Sequence, residues 1–315
     1  MPNQNDIRQQ ITNQIIEALE SNSVPPWRRP WKCCGKNAGA HANVVSKRSY
    51  RGLNPILLDL ASEKHGFSSR WWGTFHQWRR LGGRVRPRPL DTPPGKWGTQ
   101  ICYWSPVNKQ VRNEDGDLED ERFFVLRLYT VFNIDQVTGL DHLRAGQPDT
   151  DENHAIDHQP AEEALEAARV GMGVTIRYGG SQAFYRPSGD FIQLPQKATF
   201  ESPDEFYATA FHEMTHATEH PSRLDWSRKD REHAYALGEL IAELGGVYVC
   251  RELGVPSNDL SNHTAYLANW LQAMRSDSRF LFLATGQASR AADYILGFSR
   301  KPEDVTEPDD EMVTA

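Results

Sequence analysis

His212-Glu213-Met214-Thr215-His216 sets two imidazoles and a carboxylate at a spacing that a helix turns into chemistry. Histidines four apart stand one above the other on a helix, so both rings can reach one metal ion. The glutamate between them is then placed to act as general base on water activated by that ion. With 11 His in 315 residues, the pattern is expected by chance roughly 0.03 times, which makes coincidence a poor explanation. The flanks supply the helix. Ser202-Pro203-Asp204-Glu205 reads as an N-cap, a proline at the first helical position and a glutamate three residues after the cap. Phe206, Ala210, Phe211, Met214 and Ala217 recur at helical spacing, and His220-Pro221 closes the segment because the residue before proline avoids helical torsions. A metal site inside a helix of about four and a half turns is the reading.

Two histidines do not complete such a site, and a third protein ligand must come from elsewhere. From Glu232 to Leu253, apolar residues at Leu237, Leu240, Ile241, Leu244, Val247 and Tyr248 predict a second long helix, stopped by Gly254 and Pro256. Glu239 and Glu243 lie one turn apart on it, and Glu239 follows His216 by 23 residues, enough for a turn and a return pass. A charged pair on a helix ordinarily faces solvent, but Gly238, Ala242, Gly245 and Gly246 would let this helix pack closely. The arrangement resembles metalloproteases of the gluzincin class. That resemblance implies Glu239 as the third ligand and Glu243 as the partner of His212, with the two roles exchangeable. Zinc is the default ion for a set of two His and one Glu, with manganese or nickel as alternatives. His220, one turn further on, reads equally as a cleft residue or as a helix-end histidine favoured by the dipole. Tyr235 or His233 is the candidate to stabilise an oxyanion. Asp190 to Leu194 reads as a short strand entering the motif helix, where metallopeptidases pair an edge strand with an extended peptide.

The net charge of −7 conceals a division. Residues 1–112 carry 18 Lys+Arg and 6 Asp+Glu, whereas residues 113–315 carry 17 and 36. Seven of the nine tryptophans fall in the basic part. Two halves of opposite charge imply different partners. The length fits two domains, here 1–140 and 160–297, joined by a polar linker over 141–159 and followed by an acidic, disordered tail over 298–315. Cys33, Cys34, Cys102 and Cys250 form no ligand or disulfide pattern, and free thiols suit a reducing cytosol. With no signal peptide and no long apolar run, a cytoplasmic protein without a membrane partner is expected.

In the basic half, Ile7, Ile11, Ile15, Ile16 and Leu19 predict an amphipathic helix. Trp27, Arg28, Arg29, Trp31 and Lys32 then interleave aromatics with cations. Lys47, Arg48, Tyr50, Arg51 and Asn54 repeat that chemistry, and Arg70-Trp71-Trp72 adds more before a helix capped by Thr74 with Gln77. Arg84 to Arg88 continues the charge. Cations that track phosphates beside rings that receive bases suit single-stranded DNA. Tryptophans are also common core anchors, so part of the seven is expected inside.

Pro26-Trp27, Tyr50-Arg51-Gly52-x-Asn54, Thr74-Phe75-x-Gln77 and Tyr129-x-Val131-Phe132-Asn133 resemble the N-domain of the ArdC antirestriction family. Phe211 to His216, Ser222-Arg223-Leu224, the Glu239–Gly245 stretch and Ala291-Ala292-Asp293-Tyr294 are similar to the zincin-like metallopeptidase domain that accompanies it in phage and plasmid proteins. The resemblance implies an α+β fold: a basic single-strand-binding N-terminal domain, then a mainly helical gluzincin-type domain with a small sheet. It also implies protection of incoming plasmid DNA from host restriction during conjugation. By the same likeness Tyr50, Arg51, Asn54, Trp71, Trp72 and Gln77 would belong to the DNA-binding set. The alternative is a DNA-recruited protease that cleaves a host restriction or regulatory protein. The chain departs from the family in the proline-rich insertion Pro87 to Trp97, in Ala42-Asn43, which lacks the usual proline, and in Ala217-Thr218-Glu219. None of these removes a candidate ligand.

Overall fold

A computed structural model describes residues 3–21, 25–28, 39–112, 118–144, 158–226, 233–256 and 263–300. The linker stretch 145–157, the tail from 301, and Arg29, Trp31, Lys32, Cys33 and Cys34 lie outside the described residues. The isoleucine stripe near the start forms α1 (Gln4–Ser21) and is buried. A single helical turn, Pro26–Arg28, follows. After it come β1 (Ala42–Asn43), α2 (Asn54–His65), β2 (Trp71–Thr74) and α3 (Phe75–Arg80). Then follow β3 (Arg84–Val85), β4 (Thr99–Arg112), β5 (Leu118–Asn133), β6 (Val137–Thr138) and α4 (Asp141–Arg144). Four of these strands make a sheet in the order β1-β2-β5-β4, with β1 parallel to β2 and the rest antiparallel. The pair β3–β6 stands apart as a short ribbon. Thr74 caps α3 with a reciprocal bond to Gln77, as the residue pattern indicates.

The second half opens with α5 (Gln159–Met172) and a three-stranded sheet of β7 (Thr175–Tyr178), β8 (Phe184–Arg186) and β9 (Phe191–Leu194). Four helices follow: α6 (Pro203–Thr218), α7 (Ala234–Glu252), α8 (His263–Ser276) and α9 (Arg279–Gly297). In the sheet order β7-β9-β8, β9 is central, parallel to β7 and antiparallel to β8. The strand that follows Asp190 is therefore the middle one, and β7 and β8 are the edges. The reason is the turn at Asp190, whose φ of 44° reverses the chain between β8 and β9. Arg223 fixes that turn. Its guanidinium donates to both Asp190 carboxylate oxygens at 2.8 and 2.7 Å and to the carbonyls of Met172 and Ala217.

One hydrophobic cluster runs from Ile7 and Trp27 through Leu57 and Leu126 to the α6, α7 and α9 side chains. Helix α1 thus spends its apolar face on the second half, and Thr12 donates to the Ser278 carbonyl. Two smaller clusters, around Trp78 and around Trp72, belong to the first half alone. Among the described residues no helix is long and apolar enough to cross a membrane.

Helices α6 and α7 meet at the two glycines that the sequence singled out. A Cβ on Gly245 would lie 2.5 Å from Thr215 Cγ2, and one on Gly246 would lie 3.1 Å from the His212 nitrogen. Only a bare backbone lets the helices approach this closely. Gly245→Ala should therefore destabilise the fold by about 1–3 kcal/mol, the usual cost of overpacking, despite alanine's better helix propensity. Urea unfolding measures it, and an unchanged or raised midpoint would contradict the packing described.

Candidate metal centre

Ser202 caps α6 by accepting from the Glu205 nitrogen, with Pro203 at the first turn. Glu205 does not reach back to the cap residue. Its carboxylate accepts from the Glu201 nitrogen instead. The helix holds His212 and His216 with ring centroids 4.9 Å apart. Helix α7, packed close across the glycine contact, brings Glu239 to both: Oε2 lies 3.8 Å from His212 Nε2, and Oε1 lies 3.7 Å from His216 Nε2. Donor atoms of the three residues all lie within 4.8 Å of one another, the one such trio of His, Cys, Asp or Glu among the described residues. The donor set and its span suit a divalent cation.

His212 presents its other nitrogen to Glu243, with Nδ1 4.0 Å from Oε2. The two glutamates thus divide the work by position: Glu239 faces the Nε2 side and Glu243 the Nδ1 side. Glu243 is nearly inaccessible, at 2% exposure. Its carboxylate accepts from Arg28 through both Nε and Nη2, and from the Trp27 indole nitrogen at 3.2 Å.

Glu213, between the two histidines in sequence, is buried. Burial pushes its carboxyl up to about 7, with the Tyr185 main-chain N–H pulling the other way and Glu239 adding to the rise. These groups line a cleft of about 950 Å³ whose wall includes Phe184 and Tyr185 of β8, Phe200 and Trp226. Tyr235 is 63% exposed, and its hydroxyl meets the Tyr266 hydroxyl at 3.1 Å. His233 is engaged elsewhere, with Nε2 3.0 Å from Ser276 Oγ. His220 lines the cleft, its Nδ1 2.8 Å from Ser222 Oγ.

The residues expected to face DNA separate into two groups. Trp27 and Trp72 are fully buried, and Arg28 is 2% exposed. Tyr50 is buried too. Arg51 pairs with Glu252 at 2.7 Å and with Asp293 at 2.9 Å. Asn54 exchanges hydrogen bonds with the Cys102 main chain. The Gln77 side-chain oxygen accepts from the Thr74 nitrogen and from Asn43 Nδ2. For Trp27, Arg28, Tyr50 and Trp72 the expectation that they present themselves to a strand is corrected, because a ring or cation with almost no accessible surface cannot meet a base or phosphate. Arg51, Asn54 and Gln77 are half-buried and engaged within the protein.

Lys47, Arg48 and Trp71 fall differently. Lys47 Nζ sits 4.5 Å from the Trp71 ring centroid, and the Arg70 guanidinium sits 5.0 Å from it. Val45, Trp71 and Val85 ring the small Trp78 cluster, and the neighbours of Val85, Arg84 and Arg86, are exposed. Exposed Arg79 and Arg80 end α3 beside it. Composition marked this charge only as a continuation. The proline-rich insertion folds back on it, with Trp97 Nε1 donating to the Arg86 carbonyl at 3.0 Å. Sequence reasoning also missed Arg28 as a neighbour of the metal centre, and Tyr266. Neither has a local signal.

Comparison with known proteins adds the following. Residues 5–132 match the family described as the N-terminal domain of anti-restriction factor ArdC. Residues 163–287 match one described as zincin-like metallopeptidase. The metal-free crystal structure of antirestriction ArdC from plasmid R388 aligns with a TM-score of 0.71 at 33% identity, over 93% of this chain and 98% of that one. Its Mn(II)-bound form aligns with a TM-score of 0.68 at the same identity and coverage. Protein y4eC of Sinorhizobium fredii, uncharacterised, is 34% identical over 92% of this chain and 91% of its own length. DNA primase TraC of Escherichia coli is 33% identical over 93% of this chain, which spans 27% of TraC.

The burial of Glu213 has a measurable consequence in protein stripped of metal. The folded state holds the proton up to about pH 7, whereas the unfolded chain releases it near 4.5. Between those values the unfolded state alone has lost its proton, so stability falls as pH rises, by up to roughly 3 kcal/mol. Glu213→Gln should lack this slope. Matching wild-type and variant stability profiles from pH 4 to 8 would contradict the buried placement.

Proposed function

Since the chain belongs to the ArdC antirestriction family, we propose that it protects mobile-element DNA from restriction. In this reading it binds single-stranded DNA through its basic half and carries a divalent-metal site of metallopeptidase type. The observation that carries the second part is the convergence of His212 Nε2, His216 Nε2 and the Glu239 carboxylate within 4.8 Å, with a buried acid beside them. Those three residues would hold the ion. Zinc fits the donor set, and manganese is an alternative that the Mn(II)-bound relative supports.

A bound cation supplies Lewis acidity toward a carbonyl and toward water. The rest is the work of side chains. The Glu213 carboxylate takes the proton of the attacking water and hands it to the leaving amine. The Tyr185 N–H keeps that carboxylate oriented. The paired hydroxyls of Tyr235 and Tyr266 stand at the cleft to donate to the developing oxyanion. The open edge of β8 offers main-chain groups to an extended peptide.

DNA is held on the rim formed by Lys47, Arg48, Arg70, Trp71, Arg84 and Arg86. Trp71 keeps two cations aligned over its ring, and the arginines of the β3 segment meet phosphates. A second reading, a DNA-recruited protease acting on a host protein, draws on the same cleft and edge strand.

Two measurements separate these readings. Glu213→Gln should retain metal and single-stranded DNA binding and abolish peptide hydrolysis, while plasmid transfer into a restricting host remains protected. Loss of protection with DNA binding intact would instead favour the protease. For the rim, a double Arg84→Ala, Arg86→Ala variant should flatten the salt dependence of oligonucleotide binding by ~0.7 per lost phosphate contact. Arg51→Ala should leave oligonucleotide affinity unchanged and lower the melting temperature. The reverse pattern would return the DNA site to the Arg51 side.

A further inference from the structure

The centre of the second half contains a residue from the first. Arg28 lies 215 positions before Glu243, yet its guanidinium grips both oxygens of that carboxylate, and both side chains are 2% exposed. The Trp27 indole adds a third donor. Arg28 and Glu243 line the same cleft as His212 and His216. The turn that carries them is held at a second height on α7: Arg251 donates to the Trp27 carbonyl at 3.0 Å and to Asp59 at 2.7 Å. Eight residues separate Glu243 from Arg251, so the turn is pinned at two points about 12 Å apart along the helix. Trp27 also packs on Trp270, another cleft residue, with ring centroids 6.1 Å apart.

We propose that Arg28 is a positioning residue of the metal centre: it fixes Glu243, and Glu243 fixes the ring of His212. This rests on the metal-centre reading above and adds that the centre is composite, completed by the Pro26–Arg28 turn. A carboxylate beside a ligating imidazole sets that ring's tautomer and orientation. It does so only while its own rotamer is fixed, and a forked guanidinium fixes both oxygens at once where an ammonium holds one. The pair also spares Glu243 the cost of an uncompensated buried charge, so a plain structural staple would predict a loss of stability as well. The two roles differ in what happens to metal affinity.

The test uses the whole chain and Zn(II) and Mn(II) competed against a chromophoric chelator, with thermal unfolding of the metal-stripped protein alongside. Arg28→Ala should weaken metal binding by roughly 10–100-fold, the range for lost partners of ligating residues. Arg28→Lys, which keeps the buried charge pair, should recover stability more fully than affinity. It is the variant to read if Arg28→Ala does not fold. A double Arg28→Met, Glu243→Leu variant should regain stability and keep the weak affinity. In Co(II)-loaded protein, the visible ligand-field bands of Arg28→Lys should shift relative to wild type. Wild-type affinity and unshifted bands in Arg28→Lys, or in Arg28→Ala with only its melting temperature lowered, would overturn the proposal. Wild-type protein that binds neither ion would instead overturn the metal-centre reading on which it stands.

Discussion

One close helix contact draws three carboxylates and two imidazoles into a single cleft, and the chemistry of the centre follows from how those charges are compensated. Gly245 and Gly246 let α7 lie against the backbone of α6, at the turn that carries His212. Glu213, Glu239 and Glu243 are then too near one another to be ionised at no cost. Each meets the problem differently. Glu243 is neutralised by the fork of Arg28. Glu213 is pushed by burial toward holding its proton near neutral pH, against the pull of a main-chain N–H. Glu239 faces the two Nε2 atoms, where a divalent cation would complete the balance.

The same logic explains why the two family-matched segments are so thoroughly joined. Charged pairs across the join draw on both: Arg28 with Glu243 at the centre, and Asp59 with Arg251 two turns further along α7. Further along, Arg51 ties to Glu252 and Asp293, the Gly52 nitrogen donates to Ser289, and Tyr248 donates to the Gly52 carbonyl. A shared apolar cluster lies beneath these bonds. Trp71 packs on the Trp78 cluster, which belongs to the first half alone.

What the sequence made legible was local. The helix carrying His212 and His216 announces itself through its cap, its proline and its period, and α7 through its stripe and stop. Glu239 was singled out through the gluzincin resemblance, and the glycines beside it agreed with a packed helix rather than a solvated one. Residue type alone did not tell an exposed Trp–Arg pair from a buried one. Trp27 and Arg28 carry the composition of a stacking surface, yet their partners stand more than two hundred residues away, beyond any spacing rule. The place of the Asp190–Leu194 strand in its sheet was not legible for a related reason. Strands of three and four residues have no periodicity to read, and the order β7-β9-β8 depends on a left-handed turn at Asp190 that Arg223 holds. The pairing of Tyr266 with Tyr235 was not foreseen because the two hydroxyls stand on different helices.

The most direct measurement is anomalous diffraction from crystals of this chain soaked in Zn(II) or Mn(II). The expected result is one strong peak at coordination distance, about 2.0–2.2 Å for zinc, from His212 Nε2, His216 Nε2 and the Glu239 carboxylate. Peaks confined to other places on the surface, with Glu239 turned from the histidines, would contradict the centre described.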